Sequence, residues 1–303
     1  NYLCQKTIEV ATPQERVAIV RAIAGRFVDI ALDVHGTRSI QKLIENARTQ
    51  EEADRIIALF DSTADVVRLV KDLNGNHVIQ RCLTSLTPEQ NQFIVDALAK
   101  ECLDVACHQH GCCVFQRAID AASVPQKVQL GRQVARHAVR LVSNCYANYV
   151  VQYVLELALP EVDAPGMIMR ELRGHEVSLS MQKFSSNVVE KCISLGTRDQ
   201  RIAMIDSILG DPNFPRLLSD PFGNYVVQKM LSNGTAAQVQ RVCGIVQASE
   251  GSLRNSPFSK RIVARCLRGE TRFVFPLYWT FSLVFWSTSN LKLQPLPFAL
   301  PCS

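Results

Sequence analysis

The chain has 303 residues, 47% of them hydrophobic, so it is long and apolar enough to bury a substantial core. Its formal net charge is +5, from 33 basic and 28 acidic residues. A charge this small does not by itself indicate nucleic acid as a partner, and any basic binding surface has to be local.

A five-residue motif recurs along the chain and dominates its organisation. The copies Asn148–Gln152 and Asn224–Gln228 are identical. The motif opens at Asn1, Thr37, Asn76, Cys112, Asn148, Ser186 and Asn224, and a degenerate copy opens at Lys260. Successive copies lie 36–39 residues apart, and a period of this length repeated eight times is typical of a solenoid. We number the repeats 1 to 7 by the full motifs.

Helix-start signals precede each motif and follow it. Asp220 and Ser256 each stand before a proline, which is the pattern of an N-cap followed by the first helical residue. This pattern predicts that the motif lies in the first two turns of a helix. A small residue directly before the motif predicts close approach of two backbones.

A second helix is predicted about eleven residues after each motif start. Capping boxes, in which a polar residue is followed three positions later by Glu or Gln, begin at Thr12, Thr87, Ser123, Thr197 and Thr235. Repeat 2 has its box one residue late, at Thr49 and Glu52, and repeat 5 has Pro160 and Pro165 instead, which predict a longer loop. Apolar residues at helical spacing follow, so we expect an all-α fold with two or three helices per repeat.

Helical phase gives the motif positions different surroundings. The first and fifth positions share one stripe of the helix surface, and the third and fourth point to the core. The second position lies beside this stripe. The residue after the motif, which we call the sixth position, shares that neighbouring stripe with the second. The first and fifth positions hold the pairs Asn1 with Gln5, Thr37 with Gln41, Asn76 with Gln80, Cys112 with Gln116, Asn148 with Gln152, Ser186 with Glu190 and Asn224 with Gln228. These pairs are the candidate groups for reading base edges.

The neighbouring stripe offers stacking groups and cations. The second positions hold Tyr2, Arg38, His77, Cys113, Tyr149, Asn187 and Tyr225, and the basic sixth positions are Lys6, Lys42, Arg81, Arg117, Lys191 and Lys229. A plane, a polar edge and a cation per repeat favour single-stranded RNA, whose bases are accessible. The alternative is a merely solvated face, and basic side chains also commonly cover apolar surface. The fixed phase of the pairs favours binding.

The pairs differ in the bases that they can recognise. Glu190 is a carboxylate that only accepts hydrogen bonds, which suits the two adjacent donors of guanine. Asn with Gln offers donors and acceptors, which suits uracil. A small residue with Gln, as in Cys112 with Gln116 and Thr37 with Gln41, leaves room for adenine.

The order of these motifs resembles the third to eighth repeats of the Pumilio (PUF) family, and Asn1, Tyr2 and Gln5 resemble the second. The resemblance implies a right-handed, arc-shaped α-solenoid over residues 1–268 that starts inside the second family repeat, ends in a degenerate capping repeat and binds RNA on its concave face. It implies one base per repeat, read antiparallel, with 5′-UGUAUAU as the target. Cys113 stands where the family usually has Arg, and Thr37 where Cys or Ser is commoner, which predicts weaker stacking and weaker base preference there.

The resemblance also implies a function without catalysis. We expect a cytoplasmic monomer that binds UGUA-containing mRNA in 3′ untranslated regions, recruits protein effectors of translation or deadenylation, and lowers translation or mRNA stability. Two other interpretations stay open: a solenoid scaffold for an extended peptide, and a relative that binds structured or ribosomal RNA with little sequence preference.

The remaining features predict no cofactor, metal or membrane span. Four cysteines in apolar helical runs, Cys4, Cys82, Cys192 and Cys266, are predicted to be buried free thiols. The cluster Cys102, Cys107, His108, His110, Cys112 and Cys113 lacks paired zinc-ligand spacing, and the repeat register explains most of it. Residues 269–303 do not continue the repeats, and their apolar run of about 16 residues contains Pro276 and is short for a membrane helix. We expect an irregular tail there.

Overall fold

The structure, a computed structural model, describes residues 2–157, 161 and 163–268. Stacked helices form the framework of this part of the chain. Every regular element in those ranges is a helix. The predicted all-α solenoid is therefore confirmed. Asn1, Pro160 and the 269–303 tail lie outside the described residues, and so do the predictions that concern them.

Each repeat contributes three helices. Every motif helix contacts the motif helix of the next repeat, and most box helices and short helices contact their own counterparts in the same way. The motif helices are Tyr2–Val10, Gly36–Glu45, Gly75–Ser85, Gly111–Ala121, Ala147–Glu156, Ser185–Leu195, Gly223–Asn233 and the terminal Lys260–Arg268. The box helices are Pro13–Ile23, Gln50–Ile57, Gln92–Lys100, Val124–Arg136, Ala164–Leu172, Arg198–Gly210 and Ala236–Ala248. The short helices are Phe27–Leu32, Thr63–Lys71, Cys102–Ala106, Ala138–Leu141, Glu176–Ser180, Phe214–Leu217 and Glu250–Leu253, and a 3₁₀ turn, Ala24–Arg26, precedes the first of them.

The predicted N-cap residues of the motif helices lie about one turn before the first residue of the regular helix. Asp220 Oδ1 accepts hydrogen bonds from the backbone N–H groups of Phe222 at 2.8 Å and Gly223 at 2.7 Å. The regular helix starts at Gly223 and not directly after Asp220. Asp33, Asp72 and Asn144 make the same pair of bonds in their repeats. This carboxylate or amide holds the loop so that the motif enters the helix at its first turn.

In repeats 2, 3 and 4 a close backbone approach favours the glycine before the motif. A Cβ on Gly111 would lie 2.1 Å from the carbonyl oxygen of Val105 in the preceding short helix, and one on Gly36 would lie 2.3 Å from that of Ile30. In repeat 6 the hydroxyl of Ser185 donates to the carbonyl of Leu179 at 2.6 Å. The motif helix thus packs directly against the short helix.

The predicted capping boxes are formed, with two differences. Both reciprocal bonds are present at Thr12, Thr49, Thr87, Thr197 and Thr235, and the backbone N–H of Ser123 donates to Gln126 Oε1 at 2.9 Å. After Thr87 the regular helix begins only at Gln92, because a turn intervenes. In repeat 5 the helix is capped by Asp163, whose side chain accepts from the N–H of Gly166 at 2.9 Å.

In repeats 2, 3, 4, 6 and 7 the Glu or Gln of the capping box also bridges to the preceding repeat, a contact that the sequence patterns did not predict. Gln126 Nε2 donates to the carbonyl of Pro88 at 2.7 Å, and Gln238 Nε2 donates to that of Ile202 at 2.9 Å. Glu52 instead accepts from Arg16 Nε at 2.6 Å. One side chain therefore starts its own helix and fixes the stacking of two repeats.

The third and fourth motif positions form the core as predicted, except in repeat 1 and at Ser39 of repeat 2, which is half-buried. Val150, Val151, Val226 and Val227 are fully buried. Leu3 is 77% exposed because no described repeat packs against its side of the first motif helix.

The cysteine predictions hold only in part. Cys82 and Cys192 are buried, but Cys266 is only half-buried, and Cys4 is exposed, which contradicts its prediction. The reason for Cys4 is again the uncovered side of repeat 1. All cysteines of the described ranges are free thiols.

The described residues contain neither a candidate metal-binding cluster nor a candidate membrane-spanning helix. The His, Cys, Asp and Glu residues among them form no group of three or more suited to a metal ion. None of their helices is long and apolar enough to cross a membrane.

Candidate nucleic-acid interface

The first, second and fifth motif positions repeat one exposure pattern from repeat 2 to repeat 7. The first position is buried, the second is exposed and the fifth is half-buried. The polar pair and the second-position side chain therefore line one face of the stacked motif helices, which we call the motif face. Each pair keeps its fifth-position end accessible to a ligand.

The three Asn/Gln pairs of the described repeats have a common hydrogen-bonded geometry. Asn148 Nδ2 donates to the carbonyls of Asn144 at 2.8 Å and Cys145 at 3.1 Å, and Gln152 Nε2 donates to Asn148 Oδ1 at 3.0 Å. The corresponding bonds, at 2.7–3.0 Å, are made by Asn76 with Gln80 and by Asn224 with Gln228. Both amide hydrogens of each Asn are thus occupied.

This geometry changes the roles expected within a pair. The Asn of each pair, such as Asn76, can present only its oxygen, so it positions the Gln and does not donate to a base. The Gln, such as Gln80, retains its oxygen and one amide hydrogen, which together form an adjacent acceptor and donor. Uracil offers the complementary donor and acceptor on its Watson–Crick edge. A Gln held in this way needs little ordering when a base binds.

Repeat 6 differs because a carboxylate replaces the amide. Burial raises the pKa of Glu190 to about 7, although the nearby Lys229 charge opposes the shift. Among the described residues we find no side-chain hydrogen bond from Ser186 to this carboxylate. The ionised Glu190 therefore has two acceptor oxygens available for the two donors of guanine, in a site where charge is poorly solvated.

The two pairs expected to read adenine are arranged differently from each other. In repeat 4, Cys112 Sγ lies 3.3 Å from the carbonyl oxygen of Gln109, and Gln116 is half-buried one helical turn further on. The thiol gives Gln116 a smaller neighbour than the Asn of an Asn/Gln pair, which keeps the space expected for adenine.

In repeat 2 a hydroxyl takes the place of the thiol. Thr37 Oγ1 donates to the carbonyl of Asn74 in the next repeat at 3.0 Å and accepts from Gln41 Nε2 at 3.2 Å. Because its hydrogen is occupied, Thr37 cannot donate to a base, and Gln41 alone presents a polar edge there.

The second-position side chains are accessible along the face. Tyr149 is 57% exposed and Tyr225 is 50% exposed. Burial lowers the pKa of His77, with the charges of His110 and Arg117 acting in the same direction, so its imidazole is neutral at physiological pH. A row of exposed planar groups beside the polar pairs is suited to stacking bases. In repeat 6 the row continues with Asn187, which donates to the carbonyl of Lys183 at 3.2 Å.

The basic sixth position contacts the preceding repeat. Lys42 Nζ lies 3.2 Å from Glu9 Oε1, and Lys191 Nζ lies 2.6 Å from Glu156 Oε1. In repeat 5 the hydroxyl of Tyr153 donates to Asp120. These acidic partners all stand eight residues after a motif start, a regularity of the sequence that could have predicted the contact. A structural role between repeats is thus established for Lys42 and Lys191, and phosphate binding by this column stays a prediction.

Comparison with known proteins identifies the family of these repeats. The profile of the Pumilio-family RNA binding repeat matches residues 1–24, 26–59, 65–99, 101–134, 137–162, 175–209 and 213–246. A Pumilio domain-containing protein of Schizosaccharomyces pombe is 40% identical over 268 residues, and Pumilio homolog 12 of Arabidopsis thaliana is 37% identical over 267 residues. The alignments cover 88% and 87% of this chain but 39% and 44% of those proteins, so the chain spans about two fifths of their length.

Two solved RNA complexes have the same fold. The Puf4 RNA binding domain bound to the HO endonuclease RNA 3′ UTR recognition sequence matches with a TM-score of 0.73 and 38% identity, covering 87% of this chain and 83% of that one. The RNA-binding domain of yeast Puf5p bound to AAT2 RNA matches with a TM-score of 0.80 and 25% identity, covering 89% and 84%. Both solved proteins are RNA-binding domains. The chain belongs to the Pumilio family of RNA-binding repeat proteins.

Proposed function

We propose that the motif face binds single-stranded RNA with the sequence 5′-UGUAUAU. The observation that carries this proposal is the single carboxylate pair, Ser186 with Glu190, standing between two identical Asn/Gln pairs on one continuous face. Such an arrangement is complementary to a guanine with a uracil on either side. In an antiparallel register, repeat 7 takes the 5′ base and repeat 1 the 3′ base.

Affinity arises from several weak units. Stacking contributes about 1–3 kcal/mol per base, so seven repeats can bind tightly although each edge contact is modest. The preformed Asn–Gln bonds support this because they reduce the ordering that binding requires. The Puf4 and Puf5p complexes, each with its own RNA, support the same use of the fold.

The proposal is tested by binding of fluorescently labelled 5′-UGUAUAU and of the same RNA with UGU changed to ACA. We expect the second RNA to bind at least about a hundredfold more weakly, since each mismatched base costs about 1–3 kcal/mol. Equal affinity for the two would favour the low-specificity interpretation. No binding to either RNA, together with binding of an extended peptide, would favour the scaffold interpretation.

The cellular role that we propose is repression of bound mRNAs from the cytoplasm, by a monomer that recruits effectors of translation or deadenylation. A relative in Arabidopsis thaliana, 39% identical over 271 residues, is described as chloroplastic, so location has to be measured. Tethering the chain to a reporter mRNA should lower its output, and a variant with Ser186→Ala and Glu190→Ala should still repress when tethered but not through a UGUA site. Loss of both effects would contradict the effector role.

A further inference from the structure

Two adjacent thiols form an unusual chemical group on the motif face. Cys112 and Cys113 are consecutive in the helix Gly111–Ala121, and their Sγ atoms lie 3.9 Å apart. Cys112 is buried and Cys113 is exposed. The carbonyl oxygen of Gln109 lies near both sulfurs, 3.3 Å from Cys112 Sγ and 3.8 Å from Cys113 Sγ. When Cys113 is ionised, the single S–H hydrogen of Cys112 can turn from this carbonyl to the Cys113 sulfur, an interaction that an isolated thiol lacks.

The surroundings of Cys113 stabilise its thiolate. The hydrogen bond from Cys112 lowers the pKa of Cys113 to about 7, against the effect of burial, and the charge of Arg117 acts in the same direction. The pKa is raised at six other thiols of the described ranges. Burial is the main cause at Cys82, Cys102, Cys107, Cys192 and Cys266. At Cys112 the main cause is the hydrogen bond to Cys113. Cys113 is therefore chemically distinct from them.

The position of Cys113 connects this chemistry to the ligand face. It occupies the second motif position of repeat 4, and the corresponding residues of the adjacent repeats are His77 and Tyr149, both exposed. His77 is close enough to His110 and Arg117 for their charges to lower its pKa. A group attached to Cys113 Sγ would lie in the row of side chains proposed to stack bases, beside groups that favour anions.

We propose that Cys113 is a modification site at which a small-molecule disulfide, such as glutathione disulfide, switches RNA binding off. This inference rests on the proposed RNA-binding function. The Cys113 thiolate attacks one sulfur of the disulfide, a new S–S bond forms as the old one breaks, and the other half leaves as a thiolate that takes up a proton. Cys113 is oxidised and half of the disulfide is reduced, so no further reagent is needed. The attached peptide occupies the place of a base, and its carboxylates repel phosphate.

The reactivity is tested without RNA. The chain is treated with glutathione disulfide at pH 7.4, and the adducts are mapped by peptide mass spectrometry over time. Cys113 should be modified about threefold or more faster than the exposed Cys4, because a thiol whose pKa lies near the ambient pH attacks disulfides fastest. A rate at Cys113 equal to or below that at Cys4 would overturn the inference.

The effect on binding is tested with matched variants, each compared with its own untreated form. Modification of the parent chain should weaken binding of 5′-UGUAUAU by about tenfold or more, the loss of roughly one stacked base, and dithiothreitol should restore it. Cys113→Ser should remove this sensitivity, whereas Cys4→Ser should keep it. An equal loss of affinity in treated Cys113→Ser would overturn the proposal.

Prior addition of RNA separates this inference from the proposed function. Bound 5′-UGUAUAU should slow the modification of Cys113 but not that of Cys4. A chain that binds this RNA with an unprotected Cys113 would overturn only the switch. A chain that is modified rapidly at Cys113 but binds no RNA would overturn the proposed function and the switch together.

Discussion

Arg16 and Glu52 form a buried ion pair between the first two box helices, with Arg16 Nε 2.6 Å from Glu52 Oε1 and side-chain exposures of 7% and 2%. They lie one repeat apart in sequence, and Glu52 also completes the capping box at Thr49. Burial opposes ionisation of Glu52, but its bonds from Arg16 and from the backbone at Arg48 and Thr49 lower its pKa overall.

Removal of one partner should therefore destabilise the N-terminal repeats. We expect Arg16→Met to lower their free energy of unfolding by about 3–5 kcal/mol, because it leaves a buried carboxylate unpaired. Urea unfolding followed by circular dichroism measures the change. The control is Arg21→Met, since Arg21 and its partner Glu51 are 3.9 Å apart and exposed, and it should change stability by less than about 1 kcal/mol. Equal effects would contradict a special role for the buried pair.

Glu190 should make guanine recognition depend on pH. Its pKa of about 7 in the free protein means that the carboxylate is largely protonated at pH 6. Because guanine requires the ionised form, affinity for 5′-UGUAUAU should fall by about tenfold from pH 8 to pH 6. Fluorescence anisotropy at pH 6, 7 and 8 measures this. The uncharged Glu190→Gln variant should show less than about a twofold change, and a parallel fall in that variant would assign the effect to another group.

The same residue should control the base preference of repeat 6. We expect Ser186→Asn with Glu190→Gln to change the preferred second base from guanine to uracil, because the variant pair can adopt the geometry of Asn148 with Gln152. The difference in binding free energy between the guanine-containing and the uracil-containing RNA should shift by about 1–3 kcal/mol in favour of uracil. Competition between 5′-UGUAUAU and 5′-UUUAUAU measures the change. An unaltered preference for guanine would mean that the register is wrong.

Repeat 2 should discriminate between bases less strongly than repeat 6. Gln41 is anchored to Thr37, whose hydroxyl hydrogen is already donated to Asn74, so a single side chain presents the edge. We expect adenine to be favoured over uracil at the sixth base by less than about 1 kcal/mol, below the usual range for a matched base. Thr37→Asn should favour uracil by restoring an Asn/Gln pair. Competition between 5′-UGUAUAU and 5′-UGUAUUU measures both, and a parent preference above about tenfold would contradict this explanation.

Two glycines of helices should respond oppositely to the same substitution. Gly111→Ala brings a Cβ to 2.1 Å from the Val105 carbonyl oxygen, so it should destabilise repeat 4 by about 1–3 kcal/mol. Gly244 lies inside Ala236–Ala248, and a Cβ at this position would meet no atom within 4 Å. Gly244→Ala should therefore stabilise the chain by about 0.5–1 kcal/mol. Thermal unfolding measures both, and equal effects would refute the close-approach argument.

Much of this protein can be read from local sequence patterns. The repeat period, the capping boxes and the burial of Val150 and Val151 follow from the spacing of residue types, because helix starts and helical phase depend on neighbours within one or two turns. The same phase predicts that the first, second and fifth motif positions share one face. The choice of the polar pairs as the candidate site thus required no tertiary information.

Contacts between repeats were decided by the tertiary structure, because they join residues that lie about one repeat apart in the sequence. Stacking places Glu9 beside Lys42 and Glu156 beside Lys191, which makes part of the basic column a seam between repeats. It leaves Cys4 exposed although its surroundings in sequence are apolar.

The chemistry of the motif face was decided at the same level. The hydrogen bonds of Asn76 leave Gln80 as the member of the pair that can both donate to and accept from a ligand, which the pairing of residue types alone did not indicate. Packing also partly buries Glu190, which raises its pKa, and places Cys112 Sγ 3.9 Å from Cys113 Sγ. The protonation state of Glu190 and the proposed reactivity of Cys113 therefore depend on packing and desolvation, which no local sequence pattern specifies.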